Sequence, residues 1–401
     1  MKKLLMAITA LVIIAALNSG CKFTAGQDEG TAAAVEYAEQ HELSNQYNSK
    51  PIKKTDGGKF KIAYVDIDPY YNETFKMLYY VIEELKESGW IYYDKLPFDV
   101  ETYSDSCGLI NWLADNAQSE YLEFDKTANY YTRGTSEKEI YDSLSDHINA
   151  KHDIDMIISM GTEAGVLMEK FDFDVPLLMY GVVNAVNSGL VRSEEYSGYK
   201  NRWAHVDDTA YIRQMQKYHN IFRFNNIGMV YGDEVTCAIP HYETAARENG
   251  FNITKYQLAR SEYSEDEYYR RLGEIYRDMI NDDKVDAYIL NTDVIPDANT
   301  ARKMLSVFFE AGIPVFTQIG ISYTLEGASL MTIDVRDPSS SAEFMVSTIG
   351  AVLNGTDPSE LKQEYASAPY MVLNLNVADL IGYKPSFDLL LSCEKLVCAN
   401  A

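Results

Sequence analysis

Cysteine and histidine are scarce in this chain of 401 residues, five and six respectively. Cys21, Cys107, Cys237, Cys393 and Cys398 show no metal-ligand spacing and the histidines are scattered, so no metal site is expected. Cys393 and Cys398 are near enough in sequence to pair in an oxidising compartment. Positive charge is also short: 35 Lys and Arg stand against 60 Asp and Glu, for a net charge of -25. Such a surface repels nucleic-acid phosphates, which excludes nucleic acid as a partner, and it repels anionic lipid headgroups as well. The glycine patterns G-x-G-x-x-G and G-x-x-x-x-G-K-[ST] are missing, so no nucleotide cofactor is indicated. Neither a G-x-S-x-G elbow nor H-E-x-x-H is present, and no nucleophile–base set stands out; the chain is expected to be no enzyme and to carry no cofactor.

What the chain does have is length and apolar content. With 46% hydrophobic residues it can bury two cores of ordinary size. Its 31 tyrosines suit both core edges and the walls of ligand pockets.

The N-terminus reads as a secretory signal. Lys2-Lys3 is followed by an apolar run from Leu4 to Leu17 broken only by Thr9, too short to span a bilayer stably. Asn18-Ser19-Gly20-Cys21 then resembles a bacterial lipobox, with Leu17 one place earlier than usual. The resemblance implies a signal peptide over 1–21 and a lipidated Cys21, with acyl chains such as palmitate holding the mature protein at the extracytoplasmic face of the cell membrane without spanning it. Residues 22–58 are polar and weakly periodic, as a flexible tether would be.

From Lys61 onward, short apolar strands alternate with helical stretches. KIAYVD (61–66) is a strand, and 72–88 a helix with Phe75, Leu78, Tyr79, Ile82 and Leu85 on one side. Further strands are expected at 155–159, 175–180, 226–231, 253–258, 286–290, 313–317, 329–333 and 371–375. Helices are expected from Glu163 and at 207–218, 239–249, 265–281, 297–311 and 340–354. Repeated β-α units of this length predict an α/β fold with parallel sheets, and so many strands predict two of them. Residues 95–135, rich in Tyr, Asp and Asn, read as an insertion that is partly helical around 110–118.

Doubly wound sheets bind ligands beyond the carboxyl ends of their strands, so the residues following each apolar run are the candidates. They are Asp68 and Tyr70, Gly161 and Thr162, Asn184, Tyr231, Thr292 and Asp293, and Gln318. The stretch DIDMIISMGTEAG (153–165) poses the question most sharply, because a buried strand ends there in a small, hydroxyl-bearing turn. Either Thr162 caps its own helix, or the helix N-terminus and the Thr162 hydroxyl receive a carboxylate. Asp293 is either a solvated first-turn residue or a partner for an ammonium group. Tyr70, Tyr231 and Tyr323 either pack or cover a ligand.

Several segments together resemble ABC-transporter substrate-binding proteins of the tryptophan/tyrosine-uptake type. They are DIDMIISMGTEAG, VPLLMYGVVNAVNSGLV (175–191), DAYILNTDVIPDANT (286–300), AGIPVFTQIG (311–320) and the tail YMVLNLNVADLIGYKPSFDLLLSCEKLV (370–397). The chain departs from that family in the 95–135 insertion, in Asn184 where an acidic residue is usual, and in VRDPSSSAEF after Asp334. The resemblance implies a type I periplasmic-binding-protein fold: two doubly wound parallel-sheet lobes joined by three crossovers and closing on a ligand. The crossovers are expected near His205-Val206, Gly320-Ser322 and Lys362-Glu364. That gives an N-terminal lobe of 59–205 plus 322–362 and a C-terminal lobe of 206–321 plus 363–395. The implied function is amino-acid capture, aromatic ones included, for an ABC permease, with a sensor for a membrane kinase or chemoreceptor as the alternative. Thr162 and nearby backbone N–H groups would take the ligand's carboxylate, and Asp293 its ammonium.

Overall fold

The computed structural model describes residues 48–398 apart from 71, 101, 183–184, 233–238, 292–293, 319 and 336–337. The signal segment, Cys21, Cys237, Asn184, Thr292 and Asp293 therefore lie outside the described residues. Among those described, no helix is long and apolar enough to cross a membrane.

The first lobe contains β1 (Phe60–Asp66), α1 (Asn72–Glu87), α2 (Ser106–Asn116), β2 (Leu122–Glu123), β3 (Asn129–Tyr131), α3 (Glu137–Ser145), β4 (Met156–Met160), α4 (Thr162–Phe171), β5 (Leu177–Tyr180) and β6 (Arg202–Ala204). Its sheet runs β2-β1-β4-β5-β6, with β3 also paired to β1, and every pairing is parallel. The second lobe contains α5 (Ala210–Phe222), β7 (Asn226–Tyr231), α6 (Ile239–Asn249), β8 (Asn252–Gln257), α7 (Glu265–Asn281), β9 (Ala287–Leu290), α8 (Ala298–Glu310), β10 (Val315–Thr317), α9 (Ile321–Leu325) and β11 (Met331–Asp334). After α10 (Pro338–Leu353) come β12 (Tyr370–Asn374), α11 (Leu375–Ile381), α12 (Phe387–Ser392) and β13 (Lys395–Val397). The second sheet runs β13-β12-β11-β10-β9-β7-β8, parallel except where β12 meets β11.

Burial on both faces explains why these strands read as near-continuous apolar runs. Residues 156–160 of β4 and 287–290 of β9 are buried throughout. The helices carry apolar stripes instead. Phe75, Leu78, Val81, Ile82 and Leu85 of α1 pack in one core with Phe344, Met345, Val346 and Ile349 of α10. Tyr180 ties α10 to the first sheet, its hydroxyl 2.8 Å from Thr348 Oγ1. Thus α10 belongs to the first lobe although it follows β11 of the second.

That placement corrects the expected boundary at 321/322. Gly320 looks like a crossover because it breaks the chain after a strand. Instead α9 buries Tyr323 and Thr324 against the second lobe, and the chain pairs again with β10 as β11. The second sheet holds the chain through Asp334 of β11, and α10, from Pro338, lies in the first lobe. The other two connections run side by side: Val206 pairs with Glu364, Val206 N donates to Gln363 O at 3.0 Å, and Tyr365 N donates to Val206 O at 3.1 Å.

The segment 95–135 is not a free insertion either. It supplies α2 and two strands paired to β1. Its polar residues do the joining: Tyr131 Oη donates to Asp105 at 2.7 Å and accepts from Cys107 N at 3.0 Å. Asn129 Nδ2 donates to Asn111 Oδ1 at 3.1 Å. The helix expected at 207–218 begins at Ala210, because Asp207 is held by Arg213 at 2.7 and 2.9 Å. Strands β6 and β13 are too short to show a pattern in sequence, and neither was expected. Cys393 and Cys398 are free thiols, not a disulfide.

Residues 48–54 form a strap across the first lobe. Asn354 Nδ2 donates to Lys50 O at 2.9 Å and Trp90 Nε1 to Ser49 O at 3.1 Å, while Lys54 pairs with Asp155 at 2.9 Å. Gly350, inside α10, exists for this crossing: a Cβ there would stand 2.4 Å from Ser49 O. Gly→Ala inside a helix ordinarily stabilises by about 1 kcal/mol. Here overpacking reverses the sign, so Gly350→Ala is expected to cost roughly 1–3 kcal/mol. Thermal unfolding checks this, and an unchanged or raised midpoint would contradict it.

Candidate functional site

On the first lobe, two strand ends build the rim. Asp66, fully buried at the end of β1, accepts from Tyr64 Oη at 2.8 Å and from Ile67 N at 2.7 Å. Burial pushes its carboxyl above the usual range. Asp68 closes the next turn, accepting from Tyr70 N at 2.8 Å, and Ser104 Oγ donates to Pro69 O at 2.7 Å. The loop is pinned on both sides, yet the Tyr70 side chain is 87% exposed. Packing therefore does not account for that ring.

Beside it, Gly161 follows β4, with φ +85° and ψ 158°. Glycine suits this position because L side chains rarely adopt such a φ, and a Cβ would also press on Ile67 Cδ1 at 2.5 Å. Gly161 is the N-cap of α4, and no side chain caps that end. Thr162 is thus the first helical residue and not the cap. Glu163, which in the first turn would oppose an incoming anion, is turned to Arg133: its Oε2 takes Nη2 at 2.8 Å and Nε at 3.1 Å, and its Oε1 takes Thr132 Oγ1 at 3.0 Å. Arg133 Nη1 also reaches Asp68 Oδ2 at 3.1 Å. One guanidinium from the 95–135 segment therefore neutralises both carboxylates on this rim. Asp68 serves as a turn former and ion-pair partner, in place of the open ligand group expected for it.

On the second lobe, Tyr231, Asn291 and Gln318 follow in register at the ends of β7, β9 and β10. Tyr231 is half-buried against the core, whereas Asn291 and Gln318 are almost fully buried. Tyr323 does not face a ligand: it is buried and its hydroxyl donates to Ile295 O at 2.7 Å.

Two clefts lie by the crossovers, and the second has walls from both lobes. One, about 360 Å³, is lined by Met77, Gly181, Val182, His205, Asp207, Ser341 and Ser367. The other, about 540 Å³, is lined by Glu73, Lys76 and Tyr80 of α1 and by Gly320, Ile321, Asp334, Pro338, Ser339 and Tyr370. None of the described candidates lines either one; these clefts lie about the crossovers. The sequence carries a signal for the second cleft. Glu73, Lys76 and Tyr80 are spaced i, i+3, i+7 on one helix face, and Asp334 ends a strand.

A charged cluster lies at the other pole, at the amino ends of the first sheet's strands. Atoms of Asp125, His147 and Asp153 lie within 4.8 Å of one another. The Lys61 ammonium already sits among these acids, 3.3 Å from each of Glu123, Asp125 and Asp153. His147 spends Nδ1 on Asp153 at 3.0 Å and Nε2 on Thr127 Oγ1 at 3.2 Å. A lysine thus takes the place that a cation would need. Burial tends to raise the Asp125 carboxyl, but hydrogen bonds from Thr127 and Lys61 outweigh it and hold the group at about 2.

Two expectations follow. Asp125 has its folded pKa below the ordinary 3.8, so its contribution is full above about pH 4 and is lost as pH falls through about 2. Lys61→Met removes the counter-charge, and acid unfolding followed by circular dichroism is expected to begin at higher pH; an unmoved midpoint contradicts the cluster's role. Arg133→Ala breaks exposed pairs only, and is expected to change stability by less than about 1 kcal/mol. A larger loss in a denaturant titration would show that the rim is structural.

No protein-family model matches the chain, and no curated protein does. Solved structures do. A conserved domain protein from Vibrio cholerae is 16% identical, with a TM-score of 0.57 over 84% of this chain and 100% of that one. An ABC domain from Streptococcus pneumonia, solved in complex with L-Trp, is 14% identical, with a TM-score of 0.56 over 85% of this chain and 100% of that one. A substrate-binding protein with adhesive properties from Clostridium difficile, in its ligand-free, open structure, is 16% identical, with a TM-score of 0.56 over 84% of this chain and 99% of that one. At these identities the likeness is one of fold: two mostly parallel α/β sheets joined by three crossovers, the type I periplasmic-binding-protein architecture.

Proposed function

We propose that the chain is an extracytoplasmic solute-binding lipoprotein, held at the membrane through Cys21, which captures a small molecule between its lobes and delivers it to the permease of an ABC importer. An amino acid is the first candidate, an aromatic one included. The observation that supports this reading is the two-sheet architecture joined by paired crossovers, with the candidate residues at the carboxyl ends of strands in both sheets and a cleft walled by α1 and the second lobe. Lobes joined by such connections can rotate about them, so a solute touching both walls favours the closed arrangement by its differential contacts.

In this reading the uncapped start of α4, with Thr162 and Gly161, takes the solute's carboxylate. Arg133 assists by holding Glu163 away from that helix end. Asp293 takes the ammonium, Tyr70 and Tyr231 cover the apolar part, and Asn184, Thr292 and Gln318 complete the wall. Capture and release require no catalysis. The L-Trp named for the Streptococcus pneumonia structure supports an amino acid as the first solute to try.

The test is thermal unfolding of the full chain, purified in mild detergent, against separate amino acids, sugars and nucleosides. A solute present at 100 times its Kd stabilises the folded state by about 2.7 kcal/mol, which raises the midpoint by several degrees. The expected result is a shift with an amino acid that is lost in Asp293→Ala and weakened in Thr162→Ala. A full shift in both variants would remove those residues from the site.

A further inference from the structure

Asn291 and Gln318 close the carboxyl ends of β9 and β10. Leu290 and Thr317 are partners in register, so the next residues, Asn291 and Gln318, are neighbours on one face of the sheet. Their side chains are 0% and 3% exposed. Asn291 Nδ2 donates to Val230 O at 2.7 Å, which fixes the amide and leaves Oδ1 as an acceptor. Neither Asn291 Oδ1 nor Gln318 Oε1 has a hydrogen-bond partner among the described residues.

The groups around them are satisfied. Gln318 N donates to Leu290 O at 2.9 Å. Gln214 Nε2 donates to Gln318 O at 2.6 Å and to Ile333 O at 2.7 Å, and Gln214 Oε1 accepts from Tyr242 Oη at 3.2 Å. The bonded framework therefore holds the backbone rigid beneath two oxygens that have nothing to accept. A buried acceptor without a donor is costly, and two on adjacent strands are exceptional.

We propose that Asn291 and Gln318 form an acceptor pair that reads the captured solute, receiving N–H or O–H donors from an uncharged or cationic group and rejecting an anionic end. The proposal rests on the solute-binding reading above. Both groups present the negative ends of carbonyl dipoles, so a donor relieves the buried cost and a carboxylate adds to it. The chain's charge of -25 acts in the same sense. This edge thus sets which end of the solute the second lobe accepts, in the manner of sites that hydrogen-bond a substrate group and reject analogues lacking it.

The test uses the full chain, with Gln318→Met, Asn291→Leu and Gln318→Glu, and follows the unfolding midpoint alone and with three mixtures: the twenty L-amino acids, common aldoses, and the dicarboxylates succinate, fumarate and glutarate. The wild type is expected to shift with a donor-bearing mixture and not with dicarboxylates. Without solute, Gln318→Met is expected to melt at or above the wild-type midpoint, since it replaces an unbonded acceptor by an apolar group of similar shape, whereas Asn291→Leu also removes the Nδ2 bond to Val230 O and is expected to melt lower. With solute, each is expected to need at least tenfold more for the same shift. Gln318→Glu keeps shape and acceptor and is expected to retain the response.

A lower midpoint of Gln318→Met without solute together with an unchanged response would mean that the oxygens serve structural water, and would overturn the proposal. So would a response confined to dicarboxylates, or a Gln318→Glu loss as large as that of Gln318→Met. A wild type that shifts with no mixture would overturn the solute-binding reading itself, whereas a shift kept in full by all variants would overturn only the acceptor pair.

Discussion

The structure depends on how the chain passes between its two sheets. Val206 and Glu364 run as a parallel pair, and the surrounding groups fix them there. Gln363, fully buried, donates through Nε2 to Ser193 O at 2.9 Å, and Trp203 Nε1 donates to Lys362 O at 3.0 Å. His205 Nε2 donates to Tyr365 O at 2.9 Å, and the rings of Phe344 and Tyr365 stack 4.4 Å apart. The joint is therefore ordered to its ends, while each sheet keeps a separate core. A rigid joint between separate cores gives motion about few backbone positions, which is what capture between lobes requires.

Much of the fold was legible in the sequence because parallel strands are buried on both faces. Runs such as Met156-Ile157-Ile158 and Ala287-Tyr288-Ile289-Leu290 carry that signature directly. Where local pattern and pairing part company, reading failed. Residues 322–335 look like a return to the first lobe, but the pairing of Phe316 with Met331 keeps them in the second. The 95–135 segment lacks periodicity because its strands are short edge strands joined through Tyr131 and Asn129, and such bonds leave no apolar pattern. Arg133 was invisible for the same reason: its role comes from Asp68 and Glu163, which lie 65 and 30 positions away.

The candidate site was legible only in part. Strand-end logic placed Tyr70, Gly161, Thr162 and Gln318 just beyond β1, β4 and β10, and the structure has them there because those positions follow from backbone topology. It did not find the crossover clefts, whose walls come from α1 and from residues beyond β11. The abundance of tyrosine was ambiguous by composition alone. Tyr64, Tyr180, Tyr218, Tyr242, Tyr268, Tyr276 and Tyr288 are fully buried, and Tyr218 and Tyr268 spend their hydroxyls on backbone carbonyls at 2.9 Å. Part of the tyrosine content thus builds the cores, while Tyr70 stands exposed at the rim.

The central claim is that the lobes close on a solute about the crossovers. Small-angle X-ray scattering of the full chain, with and without the solute that raises its unfolding midpoint, tests this most directly. The account predicts that the radius of gyration falls on saturation and that the fall titrates with the same affinity as the thermal shift. A scattering profile unchanged at saturating solute would contradict closure as the means of capture.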